Sequence, residues 1–196
     1  MGKGDITRGR ILDEAIAISS VEGVTGLTIG RLADTVGMSK SGLFAHFRSK
    51  EELQLQVLDA AAARFTERVV KPALAAPRGE PRIRELFEHW LAWLDDPAMP
   101  GGCVLLQAAV ELDDQPGAPH EQLAEAQRRL RDLLIDMARR AVEAGHFRDD
   151  LDAERFAFEL QGMILARNLL ARLLRDPAAD SIARRAFEAL LAASRR

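Results

Sequence analysis

With 196 residues, a single cysteine and a net charge of −3, the chain is long enough to bury a core without covalent staples. Its mild acidity excludes a protein that holds nucleic acid by bulk charge alone, so any basic surface must be local. No apolar run reaches the roughly 20 residues of a bilayer span, and Cys103 has no second cysteine for an internal disulfide.

The opening MGKGDITRGR is charged and lacks the apolar stretch of a secretory signal, and Ile6 stands where a myristoylation signal needs Ser or Thr. The expectation is a soluble, cytoplasmic protein. Lys3, Arg8, Arg10, Arg31, Lys40, Arg48 and Lys50 meet few acids before Glu51, whereas acids gather later, so an acidic body carries a mildly basic tip.

Ala, Leu, Arg and Glu recur at spacings of three and four, and no segment alternates β-branched residues, which predicts an all-α chain of about nine helices. The first runs from Arg8 to Glu22 with Ile11, Leu12, Ala15, Ile16 and Ile18 inward, and stops at Gly23. Thr28 caps a second helix to about Val36, and Gly37 supplies a turn. Ser39 caps a short third helix ending near Phe47. Ser49 caps a long fourth one carrying Leu53, Val57, Leu58, Ala61 and Phe65 inward, with Pro72 closing it. PALAAPRGEP reads as a linker. Further helices are predicted over about Arg82–Leu94, Cys103–Leu112, Pro119–Ala144, Asp152–Leu174 and Asp180–Ala193, separated by breaks rich in Pro, Gly and Asp.

A helix, a glycine turn and a second helix make the helix-turn-helix plan, whose second helix enters the DNA major groove. Ile29, Leu32, Ala33 and Val36 face inward on the first helix, and Met38, Leu43 and Phe47 pack the second against it. Ser39, Lys40, Ser41, Gly42, Ala45 and His46 are left outward. Lys40 can reach a base edge or a phosphate, Ser41 can hydrogen-bond a base, and Gly42 allows close backbone approach. Lys50, at a helix start, suits a phosphate.

Residues 7–53 resemble the DNA-binding domain of the TetR family of transcriptional repressors, on the strength of ILDEA, Gly23, Thr28, LAD, VGMSKSGLFAHF and KEEL. The resemblance implies a homodimer. Each subunit would carry an N-terminal three-helix head (1–53) and a larger C-terminal body (54–196) for ligand binding and dimerisation. It also implies that Thr28 caps the second helix and touches phosphate, that Lys40 and Ser41 face bases, that His46 contacts the backbone and that Lys50 opens the fourth helix. Phe44 stands where the family usually has Tyr. It lacks the phenol hydroxyl, which leaves apolar contact with sugar or a thymine methyl. Ser19 and Val24 stand where aromatic residues are usual.

In this family a small molecule entering the body changes the separation of the heads, a coupling between sites. Candidate ligand contacts are Trp90, Trp93, Cys103, Gln107, Met137, Gln161, Met163 and Asn168, where aromatic and polar groups meet apolar stripes, and an apolar or aromatic effector suits them. Gln161 and Asn168 share a helix face, and their amides need a neighbouring helix, a partner subunit or a ligand. Arg167 would pair with Glu159 or an acid of the partner. Cys103 is either a buried small hydrophobe or a thiol sensor at a helix start. The last two helices, apolar over much of their circumference, read as a dimer interface forming a four-helix bundle across two subunits.

An enzyme is the rival from another class. His46, His89, His120 and His146 have no metal-ligand spacing, and there is no Glu-x-x-His pair or phosphate loop, so no catalytic residue, metal or cofactor is assigned. A second alternative is a DNA-binding or structural module of the same fold without an effector.

Overall fold

A computed structural model describes the backbone of residues 3–196 and the side chains from residue 8 onward. Met1 and Gly2, where the failed myristoylation motif begins, lie outside the described residues, as do the side chains of Lys3 and Ile6. Among the described residues the chain is helical: α1 (Lys3–Glu22), α2 (Ile29–Val36), α3 (Lys40–Phe44), α4 (Lys50–Phe65), a π segment (Thr66–Val70), α5 (Lys71–Ala75), α6 (Glu80–Leu94), α7 (Val104–Glu111), α8 (Ala118–Glu143), α9 (Ala153–Arg172) and α10 (Ala179–Ser194). Because α4, the π segment and α5 follow without a break, these are nine separate helices. None of the described helices is long and apolar enough to cross a membrane.

Three sequence expectations change. Pro72 does not close the fourth helix, which continues to Ala75. A π turn precedes it, in which the Lys71 N–H reaches Thr66 O, so the hydrogen-bond ladder is already offset where proline cannot donate. α3 ends at Phe44 rather than near Phe47, because the His46 N–H turns back to Leu43 O at 2.9 Å. α1 begins at Lys3 because the polar residues ahead of Ile11 include no proline to stop it.

The chain divides into two compact units. The first comprises the residues up to Arg64 together with Asp95–Ala126. Its core includes Ile16, Leu27, Leu32, Leu43, Phe47, Leu53 and Leu58, all fully buried, each burial contributing roughly 2 kcal/mol before chain entropy is set against it. The predicted inward residues of α1, α2 and α4 up to Ala61 hold this core, except that Leu12 and Val36 are half-buried, as is Met38; Phe65 belongs to the second unit.

The second unit comprises Phe65–Leu94 and Gln127–Arg196. Phe87 of α6 stacks on Phe187 of α10 with centroids 4.0 Å apart. Around that stack Arg84 pairs with Glu188, Arg184 with Glu88 at 2.6 Å, and Arg195 donates to Glu80 at 2.8 Å. The Arg195 hydrogen bond, with help from Arg84, holds the Glu80 carboxyl down at about 2 against the desolvation that opposes it.

Candidate nucleic-acid interface

Thr28 has extended backbone, and its Oγ1 accepts the Arg31 N–H at 3.1 Å, which satisfies one of the free amides that begin α2. Gly37 ends α2 in the left-handed conformation (φ 68°) and donates to Ala33 O. Two residues later Ser39 repeats the capping chemistry: its Oγ accepts the Gly42 N–H at 3.1 Å and lies 3.2 Å from Ser41 Oγ. Leu43 faces the core and Phe47 follows it there. Ser39, Lys40, Ser41, Phe44 and Ala45 are exposed, Phe44 over 50% of its surface, and Gly42 and His46 are half-buried. Gly42 also leaves room for the cap, since a Cβ there would sit 3.1 Å from Ser39 Oγ.

α4 opens with a capping pair: Ser49 Oγ accepts from the Glu52 N–H at 3.0 Å, and the Glu52 carboxylate accepts from the Arg48 N–H at 3.1 Å. Lys50, next in line, sends its Nζ to Thr25 O at 2.5 Å. That carbonyl belongs to a tightly held turn between α1 and α2. The Glu111 carboxylate at the end of α7 accepts from both Thr25 N–H and Thr25 Oγ1 at 2.9 Å, and Gln54 Nε2 donates to Val24 O at 3.1 Å. Gly23 lies so close that a Cβ would meet the Glu111 carboxylate at 2.5 Å. On the other flank the Gly101 N–H donates to Ser20 Oγ at 3.0 Å, and a Cβ at Gly101 would fall 1.5 Å from Ser20 O.

None of Ser20, Gln54, Gly101 and Glu111 was singled out from the sequence. The available signal was Glu111 as the one acid of an otherwise largely apolar α7. Ser19, beside this clamp, is fully buried, and its hydroxyl has no hydrogen-bond partner among the described residues.

The basic residues of this unit differ in their engagements. Arg31 pairs with Glu22 at 2.9 Å, and Arg8 donates to Gln56 at 2.8 Å with its guanidinium 6.0 Å from the Phe47 ring. An open groove of about 440 Å³ is lined by Arg10, Ile11, Asp13, Glu14, Thr35, Val36 and Met38.

The residues nominated for a ligand are drawn from both units. Cys103 and Gln107 fall in the first unit, where Cys103 is the buried residue preceding α7 and the Gln107 amide donates to Gly101 O at 2.8 Å. Trp90, Trp93, Met137, Gln161, Met163 and Asn168 fall in the second. There Phe65 meets Trp90 and Trp93 edge-on at 5.4 and 5.7 Å, and Asn168 encloses its Oδ1 without a hydrogen-bond partner among the described residues. Arg167 is buried and pairs with Asp180 at 2.6 Å, not with Glu159, which is engaged by Arg155 one helical turn away. A cavity of about 270 Å³ in the second unit lies between Arg148, Phe156, Glu159 and Leu190 and touches none of the nominated residues.

A short helix whose inner face is Leu43 and which leaves Lys40, Ser41 and Phe44 exposed, held behind a glycine turn, defines a helix-turn-helix DNA-binding protein. Residues 11–57 match the pattern of bacterial regulatory proteins of the tetR family, and residues 79–187 match a tetracyclin-repressor-like C-terminal domain. The HTH-type transcriptional repressor AcnR of Corynebacterium diphtheriae is 30% identical over 149 residues, 74% of this chain and 70% of that one. The HTH-type transcriptional repressor KstR2 of Mycobacterium tuberculosis is 26% identical over 160 residues, 78% of this chain and 75% of that one. A TetR transcriptional regulator from Chloroflexus aurantiacus superposes with a TM-score of 0.85 at 26% identity, covering 98% of this chain and 96% of that one. The chain belongs to the TetR family of transcriptional regulators.

Proposed function

We propose that the protein is a repressor that binds a pseudo-palindromic operator as a homodimer and is released by a small molecule. The observation that carries the DNA-binding part is the exposed Ser39, Lys40 and Ser41 face of α3, backed by buried Leu43 and Phe47. Ser41 is the proposed base reader. Thr28, Phe44, His46 and Lys50 are the proposed backbone contacts, Lys50 while also closing the Thr25 turn. Two heads on one dimer imply half-sites about one helical turn apart. The repressor sense is taken from the relatives, whose names describe repressors.

The dimer reading is supported by a stripe on α9. Phe158, Gly162, Leu165 and Leu169 stand at helical spacing and are exposed, followed by exposed Leu173, while α10 offers small Ala189 and Ala193 beside half-buried Ile182 and Ala186. So much exposed apolar surface on one helix fits burial against a second copy. Sedimentation tests it: the wild type should run as a dimer and Leu169→Arg as a monomer, and a monomeric wild type would end the reading.

The proposed effector side is the second-unit set around Asn168, whose enclosed Oδ1 wants a donor. The rival, a DNA-binding module without an effector, is favoured by the packing of Phe65 against both tryptophans. Fluorescence anisotropy on the DNA flanking the protein's own gene, against a random duplex, tests the repressor reading. A bound complex that apolar or aromatic compounds release supports the effector, and a specific complex that a broad panel leaves intact supports the rival.

A further inference from the structure

Gly30 is the second residue of α2, where helix propensity disfavours glycine, and its backbone is not among those with positive φ. Conformation therefore does not require glycine here. Its surroundings suggest another reason: a Cβ built on Gly30 would lie 3.4 Å from Lys40 Cε, 3.6 Å from Lys40 Nζ and 4.0 Å from Thr28 Oγ1. The side chain of Lys40 starts at the first residue of α3 and lies back across the space that Gly30 leaves empty, so that its ammonium and the Thr28 hydroxyl both border that space. Among the described residues no acid pairs with it, whereas Arg31 close by is neutralised by Glu22.

We propose that Gly30 is a positioning residue that turns Lys40 from a base reader into a phosphate contact, so that Lys40 strengthens binding without carrying sequence information. This rests on the DNA-binding reading above. The chemistry follows from the placement. A lysine that reads a base must extend from α3 to the acceptor edge of a guanine, whereas one lying along the start of α2 offers a compact point charge there, which fits the oxygens of a backbone phosphate. Alanine at position 30 meets Lys40 only at ordinary van der Waals distance and should be tolerated. A longer side chain occupies the path and forces Lys40 off it.

The test is a salt titration of the full-length protein by fluorescence anisotropy, on a duplex selected from a random pool, on its single-base variants and on random DNA. Gly30→Ala should keep the wild-type slope of log affinity against log salt. Gly30→Gln and Lys40→Met should each lower the slope by about 0.9 per head, roughly two for a two-headed dimer, so that affinity falls about tenfold less between roughly 50 and 200 mM salt. The low-salt loss should be the same factor on all duplexes, and the double variant should lose no more than either single one. Lys40→Met keeps an unbranched stem out to Cε and leaves position 30 untouched, so the charge is tested even if Gly30→Gln misfolds. An unchanged slope in Lys40→Met, or a loss confined to one base-pair position, overturns the proposal while leaving the DNA-binding reading intact. A wild type that prefers no duplex overturns both.

Discussion

The turn between α1 and α2 and the short helix α3 lie within the same unit and are built in opposite ways. In the turn, Thr25 N–H and Oγ1 go to Glu111, Thr25 O to Lys50 and Val24 O to Gln54, so polar groups are satisfied by side chains distant in sequence. In α3, the described bonds of Ser39 and Ser41 stay within the helix's own first turn, and these side chains stay exposed. One region is held by tertiary contacts and sets where α2 starts. The other leaves Ser39, Lys40 and Ser41 exposed.

The comparison breaks most easily at its tightest point. Gly101→Ala would drive a methyl group into Ser20 O, a backbone atom that cannot step aside, and should cost about 3 kcal/mol in urea denaturation. If the cost is negligible, the clamp is looser than described. Glu111→Ala should cost about 2 kcal/mol by leaving the Thr25 N–H and hydroxyl without their charged acceptor. The same variant should weaken DNA binding without touching α3, since Thr28 is three residues from the loosened turn.

Ser19→Ala should move stability the other way, gaining about 1 kcal/mol, because the buried hydroxyl it removes makes no hydrogen bond among the described residues. A loss on denaturation would mean that the hydroxyl is satisfied. Smallest in stability is Ser41→Ala, expected within about 0.5 kcal/mol of wild type because the residue is exposed. Its effect belongs in recognition, as altered discrimination at one base pair measured on single-base variants of the operator. A uniform loss on all duplexes would make Ser41 a backbone contact and sharpen the division between reading and positioning residues.

Much of the head was legible in the sequence because its signals are local. Thr28, Gly37, Ser39 and Ser49 act on backbone groups three or four residues away, and Leu43 and Phe47 stand four residues apart and are both buried although α3 ends between them. The exposed stripe on α9 was legible for the same reason, as a helix with more apolar circumference than one core can cover. Pro72 misled because a proline signal assumes a regular i to i−4 ladder, and the π turn before it had already shifted that ladder. Arg167 misled because the acid nearest in sequence, Glu159, is held by Arg155, while Asp180 reaches Arg167 only after α10 has packed.

The sequence by itself therefore determined the helices, the helix-turn-helix unit, its family and the outward face of α3, since capping, periodicity and turn chemistry act over a few residues. Only the tertiary structure decided that Glu111 and Gly101 grip the turn ahead of α2 and that Lys40 lies across Gly30. It likewise assigned Cys103 and Gln107 to the first unit and the other nominated ligand residues to the second. The physical reason is the same in each case. A contact between side chains far apart in sequence depends on where packed helices bring their backbones, and no local periodicity encodes that distance.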